Sequence, residues 1–122
     1  MSPNITNKQL AQQTRQLIAI KKAVARHFEI PEKTLYSETR KYEIAGPRMI
    51  AMYLCRVLTV ASFPHIADAF DKKHSTIMHA FNTTANRMTN NAAFADKVFA
   101  AKKLAQSELR AIKQADAGCA AS

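Results

Sequence analysis

Ser62 to Met88, SFPHIADAFDKKHSTIMHAFNTTANRM, is the stretch that decides the fold. Ser62 is a good N-cap, and Pro64 falls in the first turn, where a missing N–H does no harm. Ile66, Ala69 and Phe70 stand at i, i+3 and i+4, which makes one apolar stripe and predicts a short helix. Asp71, Lys72 and Lys73 interrupt the stripe with three charges. A second stripe then runs through Ile77, Ala80, Phe81, Thr84 and Met88 and predicts a longer helix sharing the same core. Helix, three-residue turn, helix is the pattern of a helix-turn-helix.

At about 100° per residue, the face opposite the second stripe carries Ser75, His79, Asn82 and Asn86, with Thr76 and Thr83 on one flank. That face is polar yet uncharged. A helix that is merely solvated usually carries pairs of Glu and Lys. Ser, Thr, Asn and His instead donate or accept at base edges, and a threonine methyl can meet that of thymine. Any two short helices can imitate the pattern, so an ordinary polar surface helix is the competing reading.

The longer stretch Pro47 to Ala80, PRMIAMYLCRVLTVASFPHIADAFDKKHSTIMHA, resembles the C-terminal DNA-binding domain of the bacterial replication initiator DnaA. The signature of that family runs I-[GA]-x-x-F, a glycine-rich turn, then R-D-H-[ST]-T-V-x-x-A. The matches are Pro47-Arg48, Ala51-Met52, Leu54, Leu58-Thr59, Pro64, Ile66, Ala69-Phe70, His74, Ser75, Thr76, Ile77, His79 and Ala80. With the helix upstream, the resemblance spans about Ile18 to Met88. It implies an all-α fold of the DnaA C-terminal or Trp-repressor-like type and binding to double-stranded DNA. Lys73, His74, Ser75, Thr76 and His79 would read bases. Arg48, Ser62, Lys72 and the basic loop before Gly46 would hold the backbone.

The chain departs from the pattern in three places. The turn is one residue shorter and has no glycine, Lys73 replaces an aspartate, and Asn82-Thr83 replace an arginine-lysine pair. In the family the basic loop sends an arginine into the minor groove, a task suited to a guanidinium in a narrow A·T groove. Tyr42 stands at that position here, so the contact passes to Arg40 or Lys41, or else the loop is simply solvated.

Upstream, Leu10, Leu17, Ile20, Val24 and Phe28 follow helical spacing with Lys21, Lys22 and Arg26 between them, which predicts one long amphipathic helix ending at Ile30-Pro31. Packing on the helices downstream is the simplest use of its stripe, a membrane surface or a partner the alternative. Pro31 to Tyr36 can form a short helical turn, and Ser37 to Gly46 shows no stripe and is expected to be a loop. Pro47 to Leu58 is apolar nearly all round apart from Arg48 and Arg56, the mark of a buried scaffold helix. Downstream of Met88, Phe94, Val98, Ala101, Leu104, Ala105, Leu109 and Ile112 predict an added C-terminal helix over about residues 91–114. That helix can close the core, dimerise or recruit a protein partner. Residues 1–7 and 115–122 are expected to be disordered, leaving one helical domain over 8–114.

At 122 residues the chain is long enough for one core without staples. Its formal charge of +9 is spread along the sequence and suits a polyanion. Gly46 and Gly118 are the only glycines, which leaves no phosphate loop of the G-x-x-x-x-G-K-[ST] kind; no nucleotide and no other cofactor is expected. On the resemblance, the chain would keep the DNA-reading domain without the nucleotide-dependent motor. His74 and His79 are five apart, off a common helical face, and lack a carboxylate, so no metal is expected; no nucleophile has both a base and an orienting acid, so no enzyme is expected. Cys55 and Cys119 suggest no disulfide, and no apolar run approaches the roughly 18 residues of a membrane span; a bacterial, nucleoid-associated cytoplasmic protein is expected. The leading expectation is a stand-alone, sequence-specific binder of duplex DNA acting in replication initiation or transcription. The alternatives are a helical interaction protein that uses its C-terminal helix on a replication or phage partner, and a ligand-gated repressor, for which no pocket signature is present.

Overall fold

The computed structural model describes residues 7–36 and 42–121, with side chains over 7–35 and 46–113. Five α-helices and one 3-10 turn, with no strand among the described residues, make up the fold: α1 Asn7–His27, the 3-10 turn Glu32–Tyr36, α2 Tyr42–Leu58, α3 Phe63–Phe70, α4 His74–Asn90 and α5 Ala92–Ala121.

α1 buries Leu17, Ile20, Ala23 and Val24. Leu10, placed on the same stripe by spacing, is instead 38% exposed, and Gln13 takes the inward position one turn later. Gln13 is inside because its amide has a partner there, the ring of His65. The helix ends in a Schellman turn: the Ile30 N–H donates to Ala25 O at 3.0 Å and the Glu29 N–H to Arg26 O at 3.2 Å. Glu29 occupies the left-handed position, φ 56°, that glycine usually fills. Pro31 then opens the 3-10 turn, its carbonyl accepting from both the N–H and the hydroxyl of Thr34, and Leu35 seals the underside of the core.

α2 starts at Tyr42, so Tyr42 to Gly46 is helix rather than the expected loop, and Pro47 lies inside the helix. As the sixth residue of the helix, Pro47 donates no i to i−4 bond, and its ring crowds the carbonyl of residue 43. Residues 37–41 of the expected loop, like residues 1–6 and 122 of the expected disordered ends, lie outside the described residues. Ile50, Ala51, Met52, Leu54 and Cys55 are buried, which makes α2 the scaffold its composition predicts, although Val57 is 40% exposed. Burial pushes the Cys55 thiol well above its usual range. Thr59 ends the helix, its hydroxyl donating to Cys55 O at 2.6 Å and accepting from the Ala61 N–H at 3.1 Å.

α5 is the added helix. Asn91, extended in backbone, stops α4 and caps α5: its Oδ1 accepts from the Phe94 N–H at 3.0 Å. Phe94, Val98, Ala101 and Ala105 are buried, so this face closes the core against α1 and α4. α1 and α5 run antiparallel, since Arg26 pairs with Glu108 at 2.9 Å while Ile18 lies beside Ile112. The backbone stays helical to Ala121, past the expected end near residue 114. Alanine at 115, 117, 120 and 121 favours helix strongly enough to carry one glycine, which costs about 1 kcal/mol.

Candidate nucleic-acid interface

The two helices of the central stretch fall where the stripes place them, joined by Asp71–Lys73. Ser62 caps α3, its Oγ accepting from the His65 N–H at 3.2 Å. α3 buries Ile66, Ala67 and Phe70. Its far end is a second Schellman turn, with the Lys72 N–H on Ala67 O at 2.9 Å and the Asp71 N–H on Asp68 O at 3.2 Å. Asp71 sits at φ 54°, so a tight reversal is reached without glycine. Aspartate tolerates that region better than most residues.

α3 is held at both ends by α1. Gln13 Oε1, an acceptor, lies 3.1 Å from His65 Nδ1, so in the neutral ring Nδ1 carries the proton and Nε2 accepts from the Thr14 hydroxyl 3.0 Å away. At the other end Lys21, only 3% exposed, donates to Ala69 O at 2.7 Å, with its ammonium 5.4 Å from the centre of the Phe70 ring. A cation there satisfies a terminal carbonyl and matches the helix dipole.

α4 begins with Lys73 as its cap residue. The Lys73 carbonyl accepts from the N–H groups of Thr76 at 3.0 Å and Ile77 at 3.3 Å, but no side chain caps the helix and no acid lies in its first turn. Ile77, Ala80 and Thr84 are buried. Lys73, His74, Ser75, Thr76, His79, Asn82 and Asn86 are exposed, and Thr83 is half-buried, its hydroxyl 3.4 Å from His79 Nε2. All five residues expected to read bases therefore stand together at the N-terminal end of α4 and its cap, each exposed to solvent. Ser62 is exposed at the cap of α3, and half-buried Lys72 lies in the turn that leads into α4. Arg48 is half-buried on α2, and Arg40 and Lys41 lie outside the described residues.

Spacing did not reveal the aromatic column that supports this end of α4. Tyr53 stacks on Phe81 at 5.4 Å, Phe81 meets Phe63 edge-on at 6.0 Å, Phe63 lies 5.9 Å from the His74 ring, and the Arg56 guanidinium sits 4.8 Å above Phe63. Arg56 also donates to Ala61 O at 3.2 Å. Met78, 41% exposed, lies off the apolar stripe; it is an apolar side chain bordering the polar face. Among the described residues no group of three or more His, Cys, Asp or Glu side chains can hold a metal, and no helix is long and apolar enough to cross a membrane.

A short capped helix, a tight left-handed turn and a second helix with one face in the core and the other in solvent define an all-α helix-turn-helix protein. The family model described as the bacterial dnaA protein helix-turn-helix matches residues 17–83, and the chain belongs to that family. It is 36% identical over 97 residues to a chromosomal replication initiator protein DnaA of Geobacter sp. (strain M21), a match covering 77% of this chain and 21% of that protein. A DnaA of Dechloromonas aromatica (strain RCB) is 46% identical over 65 residues, 52% of this chain and 14% of that protein. The chain thus spans about a fifth of the length of the curated relatives it matches. The crystal structure of a DNA replication initiation factor superposes with a TM-score of 0.75 at 28% identity, over 84% of this chain and 32% of the other.

Proposed function

We propose that this chain binds duplex DNA with sequence preference and without nucleotide, α4 entering the major groove by its first turns. The observation that carries the reading is the polar, exposed end of α4. Lys73, His74, Ser75, Thr76 and His79 offer donors and acceptors at the head of a helix whose opposite face is locked into the core. Helix-turn-helix proteins place the N-terminal residues of the second helix against base edges in this way. Ser62, Lys72, Arg48 and, in the adjoining segment, Arg40 or Lys41 hold phosphates and set the register. The head of α4 adds to this: its first N–H groups lack a side-chain cap, and such groups suit an anionic oxygen. Family membership supports the further reading that the chain binds boxes of the type read by replication initiators and through them influences replication initiation or transcription.

The test is selection of bound sites from random duplexes, then a salt titration without ATP. About four to six phosphate contacts give a slope of log K against log salt of roughly −4 to −5. Replacing Thr76 and His79 with alanine lowers the preference for the selected site by about 1 to 3 kcal/mol for each base that goes unread, with a smaller effect on random duplex. Equal effects on both DNAs, or a requirement for ATP, refute the assignment.

A further inference from the structure

One flank of α1 is tied to α3; another meets α5 in a shallow groove of about 270 Å³. Ile18, Ala19 and Ile112 supply its apolar lining, and Ile18 is 37% exposed. Arg15, Lys22 and Arg26 stand along the α1 side. Glu108, the one carboxylate among the described lining residues, is in a salt bridge with Arg26 at 2.9 Å. The described lining therefore combines an apolar trough with net positive charge, on elements that the proposed DNA contacts do not use.

We propose that this groove docks an acidic amphipathic helix of a partner protein. Residues 15, 22 and 26 lie on one stripe of α1 and span about 16 Å at 1.5 Å per residue, the length of three helical turns. A partner helix with carboxylates at the same seven-then-four spacing places an acid opposite each cation and a leucine-type side chain over Ile18 and Ile112, the helix-in-groove mode of recognition. The charge complementarity also decides against a second copy of this chain. No helix of this chain carries carboxylates at that spacing: α1 and α4 have none, α2 has Glu43 alone and α3 has Asp68 alone, and the acids of α5, Asp96, Glu108 and Asp116, stand twelve and eight positions apart, with Glu108 already paired to Arg26. A lipid surface fits less well, because membrane-seated helices carry their apolar side chains outward beyond the cations, whereas here they line a concavity.

The probe is a fluorescent helical peptide of about four turns with Glu at positions i, i+7 and i+11 and Leu between them, beside a peptide of the same composition in scrambled order. Titration into the isotopically labelled full chain is followed by amide shifts and anisotropy. The expected result is shifts centred on Lys22, Glu108 and Ile112, and a Kd weakened by roughly fivefold or more for the scrambled peptide and for the variants Lys22→Glu and Ile18→Glu. Both positions are exposed, and well-dispersed amide spectra verify that the variants are folded. Shifts centred on α4, equal affinity for the scrambled peptide, affinity unchanged by both variants, or binding confined to phosphatidylglycerol vesicles would each overturn the proposal.

Discussion

Thr84 sits in the middle of α4 with 1% of its surface exposed, and its hydroxyl has no hydrogen-bond partner. It points away from the polar face that carries Ser75 and Asn86, so its chemistry acts on stability alone. A buried hydroxyl without a partner costs about 1 to 3 kcal/mol relative to one left in water. Thr84→Val keeps the β-branched shape and nearly the same helix propensity while exchanging the hydroxyl for a methyl. The folded state is expected to gain about 1 to 2 kcal/mol, or roughly 4 to 8 °C in melting temperature for a chain of this length. Urea denaturation of both proteins, with an unchanged m-value, measures the gain. Affinity for the selected DNA site should stay the same. A Thr84→Val protein that is equally or less stable would refute the reasoning, because it would mean that the hydroxyl is satisfied in solution.

Three other outcomes follow from features of the fold. Glu29→Gly relieves a non-glycine residue at φ 56° and is expected to stabilise the protein by about 1 kcal/mol, read by the same denaturation; a drop in stability would show that the Glu29 side chain contributes more than its backbone costs. Lys73→Asp replaces a cation at the uncapped head of α4 with a capping carboxylate, and free protein should gain about 1 to 2 kcal/mol. The same change should move the preferred base facing position 73 from guanine toward cytosine, since an ammonium donates and a carboxylate accepts; unchanged preference across the variant boxes would return Lys73 to the solvated surface. In a Cys119→Ser background, the thiol of Cys55, buried and raised in pKa, should not react with a disulfide reagent at pH 8 until the protein unfolds globally. Rapid labelling would reveal local opening of α2.

The boundaries of α3 and α4 were legible because several local signals agree at each: Ser62 and Pro64 at the start, three successive charges at the turn, and a stripe on either side. The outward set on α4 followed from the same periodicity, and burial divides that helix along the line the spacing draws. Where the sequence misled, tertiary context had overruled a local rule. Pro47 reads as a helix start, yet the helix begins at Tyr42. Spacing sets Lys21 with Lys22 and Arg26 between the apolar positions, yet Lys21 alone of the three is buried, because a carbonyl on a helix distant in sequence accepts its hydrogen bond. Gln13 is buried for the same kind of reason, a partner supplied by His65, while Leu10 on the expected stripe stays exposed. No periodicity shows that Arg56 and three aromatic rings support His74, since those residues come from α2, α3 and α4 and meet only on folding.

The two side-chain ties between α1 and α3 have a consequence for how the chain folds. Each joins residues about fifty positions apart, His65 to Gln13 and Thr14 at one end of α3 and Lys21 to Ala69 at the other. An eight-residue helix is far too short to persist alone in water. α3 therefore holds its shape only through its tertiary partners, the ties to α1 among them together with its packing on α2 and α4. The helix-turn-helix is in this sense a borrowed structure: a peptide cut to residues 62–88 would have the sequence of the motif but would not hold its geometry. Fraying of α1 and loss of order in α3 should then appear in hydrogen exchange as one cooperative event.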